Sequence, residues 1–291
     1  MDGLERDLAA AGGLVRRAQL LSRGHSAASI RAAVQDKRLS VPRRGWLAAD
    51  SADPMGLRAV MLGGQLGGDA ALASWGIWVD SARGLTVTCS PNSSRLPEIA
   101  GSERRLWAVP RFPEVSPKAW RVSVRDALLQ YATFASRDEL IASLDSALNS
   151  RVLRRSELTE LIAALPRRLR SVASEIDGTA MSGNETRFRL AARRAGFRVA
   201  TQVTIPGVGI VDNLIDDWLI VEIDSKLYHG GEDNQFRDRT RDGNAVLRRY
   251  GHERFSPAQV QRQIDWCLAV VEARLAEGPP IREQEAGGIR R

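Results

Sequence analysis

Apolar and polar residues alternate along residues 197–226, and the alternation predicts three strands. The first is read in "FRVATQVTI", the second in "GVGIVDNLI" and the third in "WLIVEIDSK", with a turn at Asp216 and Asp217 between the last two. In the third, Leu219, Val221 and Ile223 share one face. Trp218 and Ile220 begin the other face, and Glu222, Asp224 and Lys226 continue it. A strand face that starts apolar and ends polar is expected to carry a site at its end. Helical spacing surrounds these strands. "SGNETRFRLAARRAG" places Phe188, Ala191, Ala192 and Ala195 on one stripe and stops at Gly196. "DNQFRDRTRDGNAVLRRYG" reads as a helix closed by Gly251, "ERF" as a brief fourth strand, and "PAQVQRQIDWCLAVVEARLAE" as a final helix with Pro257 near its start. The order is that of an α/β layer over residues 180–291.

Residues 1–50 read differently. "LERDLAAAGG" is a short helix stopped by Gly12 and Gly13, and "RAQLLSRG" a second closed by Gly24. Ser26 caps a third, "AASIRAAVQDKR", in which Ile30, Ala33 and Val34 recur at helical spacing. Two very short strands around the basic turn Arg43, Arg44 and Gly45 follow. Three helices and a basic hairpin are the order of a winged helix-turn-helix. Residues 57–175 hold a helix with a buried tryptophan in "GDAALASWGIWV" and strands in "GLTVTCS" and "RRLWAVP". Helices follow in "VSVRDALLQYATF" and "RDELIASLDSALNSRVLRRSELTELIAAL". This segment carries no catalytic constellation and is expected to be an α/β connector.

Composition changes the picture at three points. The chain of 291 residues has a net charge of +7, which suits a polyanion partner, although scattered arginine richness is also a common consequence of genome composition. Lysines occur only at 37, 118 and 226, so Lys226 stands out among them. Cys89 and Cys267 have no metal-ligand spacing, no apolar run is long enough to span a membrane, and the N-terminus lacks signal-peptide character. The expectation is a cytoplasmic protein with no membrane partner.

Asp212 supplies a further carboxylate. A hairpin turn of three residues, 216–218, sets Asp212 directly opposite Glu222, whereas a two-residue turn sends it to the other face. Clustered carboxylates hold Mg²⁺ through hard oxygen ligands and leave positions open for water and phosphate. A nearby lysine stabilises developing negative charge. Phosphodiester hydrolysis uses this combination.

Two resemblances follow from these residues. "VRRAQLLSRGHSAASIRAAVQDKRLSVPRRGWLA" resembles the N-terminal winged helix of AbiEi-type antitoxins. It implies contact with double-stranded DNA through the helix from Ser26 to Arg38, which carries Arg31, and through Arg43 and Arg44 at the backbone. "NETRFRLAARRAGF", "IVDNLIDDWLIVEIDSKLYH" and "FRDRTRDGNAVLRRYG" together resemble the PD-(D/E)XK nuclease superfamily, nearest to domains related to very-short-patch-repair endonucleases. That likeness implies a restriction-endonuclease-like three-layer fold. It implies Asp212, Glu222 and Asp224 as ligands of Mg²⁺ or Mn²⁺, and Lys226, His229 and Glu185 as further catalytic groups. It also implies Arg241 near phosphate. Lys226 stands two residues beyond Asp224, where the plain pattern places lysine two beyond the Glu222 position. Glu185 also fits a capping box with Ser182, and Arg241 also fits a partner on its own helix. His25 and His252 are expected on the surface.

The expectation is a metal-dependent DNA endonuclease with a DNA-binding head. The alternatives are an antitoxin-like regulator with an inactive nuclease-like domain, and a nuclease directed at RNA. A homodimer and a toxin partner are both compatible with it.

Overall fold

The structure, a computed structural model, describes residues 3–80, 84–223 and 232–279, with the backbone alone over 232–238. Asp224, Lys226 and His229 lie outside the described residues. The chain is of mixed α/β class and divides into two compact units. One holds residues 1–143 and 150–173, the other residues 144–149 and 174–291. Among the described residues, no helix is long and apolar enough to cross a membrane.

The first unit begins with α1 (Gly3–Ala10), β1 (Leu14–Arg16), α2 (Arg17–Ser22), α3 (Ala27–Gln35) and β2 (Trp46–Ala48). Leu4, Leu8, Val15, Leu20, Ile30 and Leu47 form an apolar core among them. Ser26 caps α3 as expected, its Oγ accepting the Ser29 N–H at 3.0 Å, but the helix ends at Gln35 rather than Arg38. Ser40 bridges to Ala48 across the basic turn, where Gly45 takes φ 83°. The three-residue β1 is too short to show periodicity; it pairs antiparallel with β2.

The unit continues with α4 (Pro54–Met61), β3 (Gln65–Leu66), α5 (Gly68–Ser74), β4 (Thr86–Cys89), β5 (Arg104–Trp107) and α6 (Val124–Tyr131). Then come the first part of α7 (Arg137–Asn149), α8 (Arg155–Ala164) and a 3₁₀ helix (Arg167–Ser174). The sheet order is β3-β4-β5, antiparallel then parallel. The tryptophans beside α5, Trp75 and Trp78, are half-buried rather than buried. Within residues 57–175 the buried tryptophan is Trp120, whose Nε1 donates to the Ala11 carbonyl at 2.7 Å. Its ring lies so close over Gly56 that a Cβ there would stand 2.5 Å from it.

The second unit contains the end of α7, α9 (Gly183–Arg194), β6 (Val199–Ile205), β7 (Gly209–Ile215), β8 (Leu219–Ile223), α10 (Glu232–Leu247), β9 (Gly251–Phe255), α11 (Pro257–Arg262) and α12 (Ile264–Glu277). Its sheet runs β6-β7-β8-β9, with two antiparallel pairings and a parallel one after the α10 crossover. Phe188 of α9, Val260 of α11 and Val271 of α12 pack on Leu219, Val221 and Ile223. Ala245 of α10 packs with Ile220, Val211 and Leu214 on the other core. Helices therefore cover both faces, and β8 alternates as its sequence predicts. Trp218 departs from that alternation. It lies in the turn and packs toward the Leu219 side. Ala195, expected on the inner stripe of α9, is exposed at the helix end.

Candidate active site

The β7–β8 turn holds three residues, because Ile215 pairs with Leu219. Asp216 and Asp217 take φ 47° and 67° there, a region aspartate tolerates better than most residues. The ladder runs to Asn213 opposite Val221, and this register carries Asp212 to the position opposite Glu222.

Simple alternation does not describe Asp212, however. Val211 and Leu214 both face the α10 side, so the alternation slips between them. The neighbouring strand changes at the same place: Gln202 takes φ 49° in the middle of β6, and the Gln202–Asp212 pair is missing from a ladder whose register is the same on either side. Gln202 Nε2 donates to Glu185 Oε2 at 3.2 Å and to Asp212 Oδ1 at 3.5 Å. Asp212 Oδ2 accepts the Ile223 N–H at 2.9 Å, where the β7–β8 ladder has ended.

Glu185 sits at the start of α9. Its N–H donates to the Ser182 Oγ at 3.2 Å, which is half of a capping box. The carboxylate accepts the Met181 N–H at 2.8 Å and the Gln202 amide. Burial, reinforced by the charge of Asp212, pushes the Glu185 carboxyl up to about 7. Burial also raises Asp212, with Glu222 adding to the effect. Buried Glu185 and half-buried Asp212 thus share one amide as their common partner; two carboxylates together offer the hard oxygen donors that a divalent cation takes.

Glu222 has a different setting. Its Oε1 accepts from Arg241 Nη2 at 2.8 Å, and its Oε2 accepts from His252 Nε2 at 3.0 Å and from Arg254 Nε at 3.2 Å. Burial opposes the charged form, but the His252 hydrogen bond and the Arg241 and Arg254 charges prevail and hold the carboxyl down to about 2. Asp242 completes the network, 2.6 Å from Arg254 Nη2 and 3.4 Å from His252 Nδ1. Both Glu222 oxygens are therefore taken by Arg241, Arg254 and His252 of the chain itself, and they do not fit a metal. Among the described residues, no group of three or more His, Cys, Asp or Glu side chains could hold a metal ion.

His252, expected on the surface, is a partner of Glu222 with its side chain only 18% exposed. His25 is likewise half-buried, with Nε2 2.7 Å from Asp7 Oδ2. Arg241 turns inward. It pairs with Glu222 and donates to the carbonyls of Val208, at 2.7 Å, and Ile210. Gln202, His252 and Arg254 escaped the sequence reading. Alternation along "HERF" carried a signal for two of them, since His252 and Arg254 pair in register with Ile220 and Glu222 of one β8 face. The left-handed Gln202 left none.

In the first unit, Arg31 and Arg44 are exposed, and Arg38 is exposed with Nη2 3.9 Å from Asp36. Ser26 is engaged in capping α3. Arg43 Nη1 donates to the Met61 carbonyl at 3.2 Å, which draws it toward α4. Comparison with family models and with curated proteins gives no match to this chain, so a functional reading has to stand on these residues.

Proposed function

We propose that the chain is a metal-dependent DNA endonuclease of PD-(D/E)XK type, with a winged helix-turn-helix at its N-terminal end for duplex contact. The observation that carries this reading is the Glu185–Gln202–Asp212 corner beside the end of β8, in which Glu185 is buried and the other two are half-buried. The sheet supports it: an antiparallel meander, a helical crossover and a parallel fourth strand, with helices on both faces.

Asp212 and Glu185 would hold a Mg²⁺ or Mn²⁺ ion, whose charge supports the transition state and the activation of water. The Gln202 amide orients both acids by donating to each. Duplex contact falls to the exposed side of α3 and to Arg44. The test is incubation of the full chain with duplex DNA, supercoiled or linear, and with single-stranded RNA, each with Mg²⁺, Mn²⁺ or chelator. Metal-dependent cutting of DNA supports the proposal. Cutting of RNA in preference to DNA would move the substrate to RNA.

One observation favours a second reading, an antitoxin-like regulator whose nuclease fold does not cut. It is the saturation of Glu222 by Arg241, His252 and Arg254. On that reading the chain binds duplex DNA and leaves it intact with every metal tried.

A further inference from the structure

We infer that Glu222 is a positioning residue that fixes Asp212 through Arg241, and that it does not itself grip a cation. The chain of contacts is short. Arg241 leaves α10 and donates Nη2 to Glu222 Oε1 at 2.8 Å. The same guanidinium donates Nε to the Val208 carbonyl at 2.7 Å and Nη2 to the Ile210 carbonyl. These carbonyls stand four and two residues before Asp212. Asn244 reinforces the clamp from the same helix, donating Nδ2 to the Gly207 carbonyl at 2.6 Å. Gly209 takes φ 104° beside the guanidinium, a backbone angle that favours glycine.

A guanidinium bonded only to neutral carbonyls in a half-buried place lacks a counter-charge. Glu222 supplies it. Arg254 and His252 hold the second oxygen of Glu222, and Asp242 holds both of them. The carboxylate is therefore locked from two sides, and the direction it gives Arg241 fixes the approach of β7 to Asp212. A cation that used Glu222 would have to displace Arg241 from Oε1, or His252 and Arg254 from Oε2. The inference rests on the proposed reading only in taking Asp212 as the metal acid.

The test uses the full chain and four variants: Glu222→Gln, Arg241→Gln, the charge-neutral double variant with both, and Asp212→Asn. Amide hydrogen exchange over residues 207–212 reports the clamp, and Mn²⁺ affinity by electron paramagnetic resonance reports the site. The expected result is exchange accelerated about tenfold or more in both Gln single variants. Mn²⁺ affinity should fall in parallel. The double variant should be no worse than either single one, because both act through one contact. Asp212→Asn should lose Mn²⁺ binding.

Loss of Mn²⁺ binding in Glu222→Gln with unchanged exchange, and with Arg241→Gln unaffected, would make Glu222 a ligand and overturn the inference. Unchanged exchange in both single variants would overturn it as well. Failure of the wild-type chain to bind Mn²⁺ refutes the nuclease reading, and the exchange arm then still decides the role of Glu222.

Discussion

Two buried glutamates, Glu185 and Glu222, show how surroundings decide what a side chain can do. Glu185 faces another acid and is pushed up to about 7; Glu222 faces two arginines and a histidine and is held at about 2. The consequences for stability have opposite signs. A raised carboxyl contributes stability that is fully present below its unfolded value, near 4.5, and is lost as pH rises through about 7. Glu185→Gln should therefore stabilise the fold at pH 8, by on the order of 1–3 kcal/mol, and leave it unchanged at pH 4. A lowered carboxyl contributes stability that is present above its unfolded value and is lost as pH falls toward about 2. Glu222→Gln should destabilise at pH 7, with the deficit closing below about pH 4. Urea midpoints of both variants and the wild type at several pH values check the pair of signs. A third residue anchors the same unit. Asp145 accepts from Arg189 at 2.7 Å, from Thr186 Oγ1 at 2.9 Å and from the N–H groups of Asp177 and Gly178, with both charged side chains almost fully buried. Asp145→Ala leaves Arg189 charged and buried, and should cost about 3–5 kcal/mol in denaturant unfolding.

At the scale of elements, turns set much of what the strands can carry. Gly13 follows α1 at φ 74°, and a Cβ there would stand 2.6 Å from the Ala52 backbone nitrogen. Gly13→Ala should cost about 1–3 kcal/mol, read as a drop in melting temperature, because both the backbone angle and the space oppose it. Periodicity made α9 and β8 legible, since the stripe of one and the alternation of the other show in the sequence. The β7–β8 register stayed open between a two-residue and a three-residue turn, and the pairing of Ile215 with Leu219 decides for 216–218. Other features left too little trace. β1 is three residues long, and "HERF" reads as a depleted strand until His252 and Arg254 are matched to Glu222 across the ladder. The slip of alternation at Gln202 depends on a backbone angle that an amide side chain does not announce. Asp212 was legible as a candidate; its partnership with Glu185 through Gln202 was not.

Across the whole molecule, the charge of +7 is unevenly placed. Residues 26–45 carry Arg31, Lys37, Arg38, Arg43 and Arg44 against the single acid Asp36. Duplex affinity should therefore fall steeply with salt. Arg44→Ala should weaken binding to all sequences alike and lower the slope of log affinity against log salt by about 1. Arg43→Ala should change the slope less, because that side chain is tied to the Met61 carbonyl. Anisotropy titrations at several salt concentrations separate the two.

The central claim is that the corner at Asp212 hydrolyses DNA when supplied with a divalent metal. Its most direct test is a time course of supercoiled plasmid with Mg²⁺ or Mn²⁺, for the wild-type chain and Asp212→Asn purified side by side. The account predicts nicked or linear product from the wild type, none from the variant and none with chelator. Intact plasmid with every metal, or equal cutting by Asp212→Asn, would contradict it.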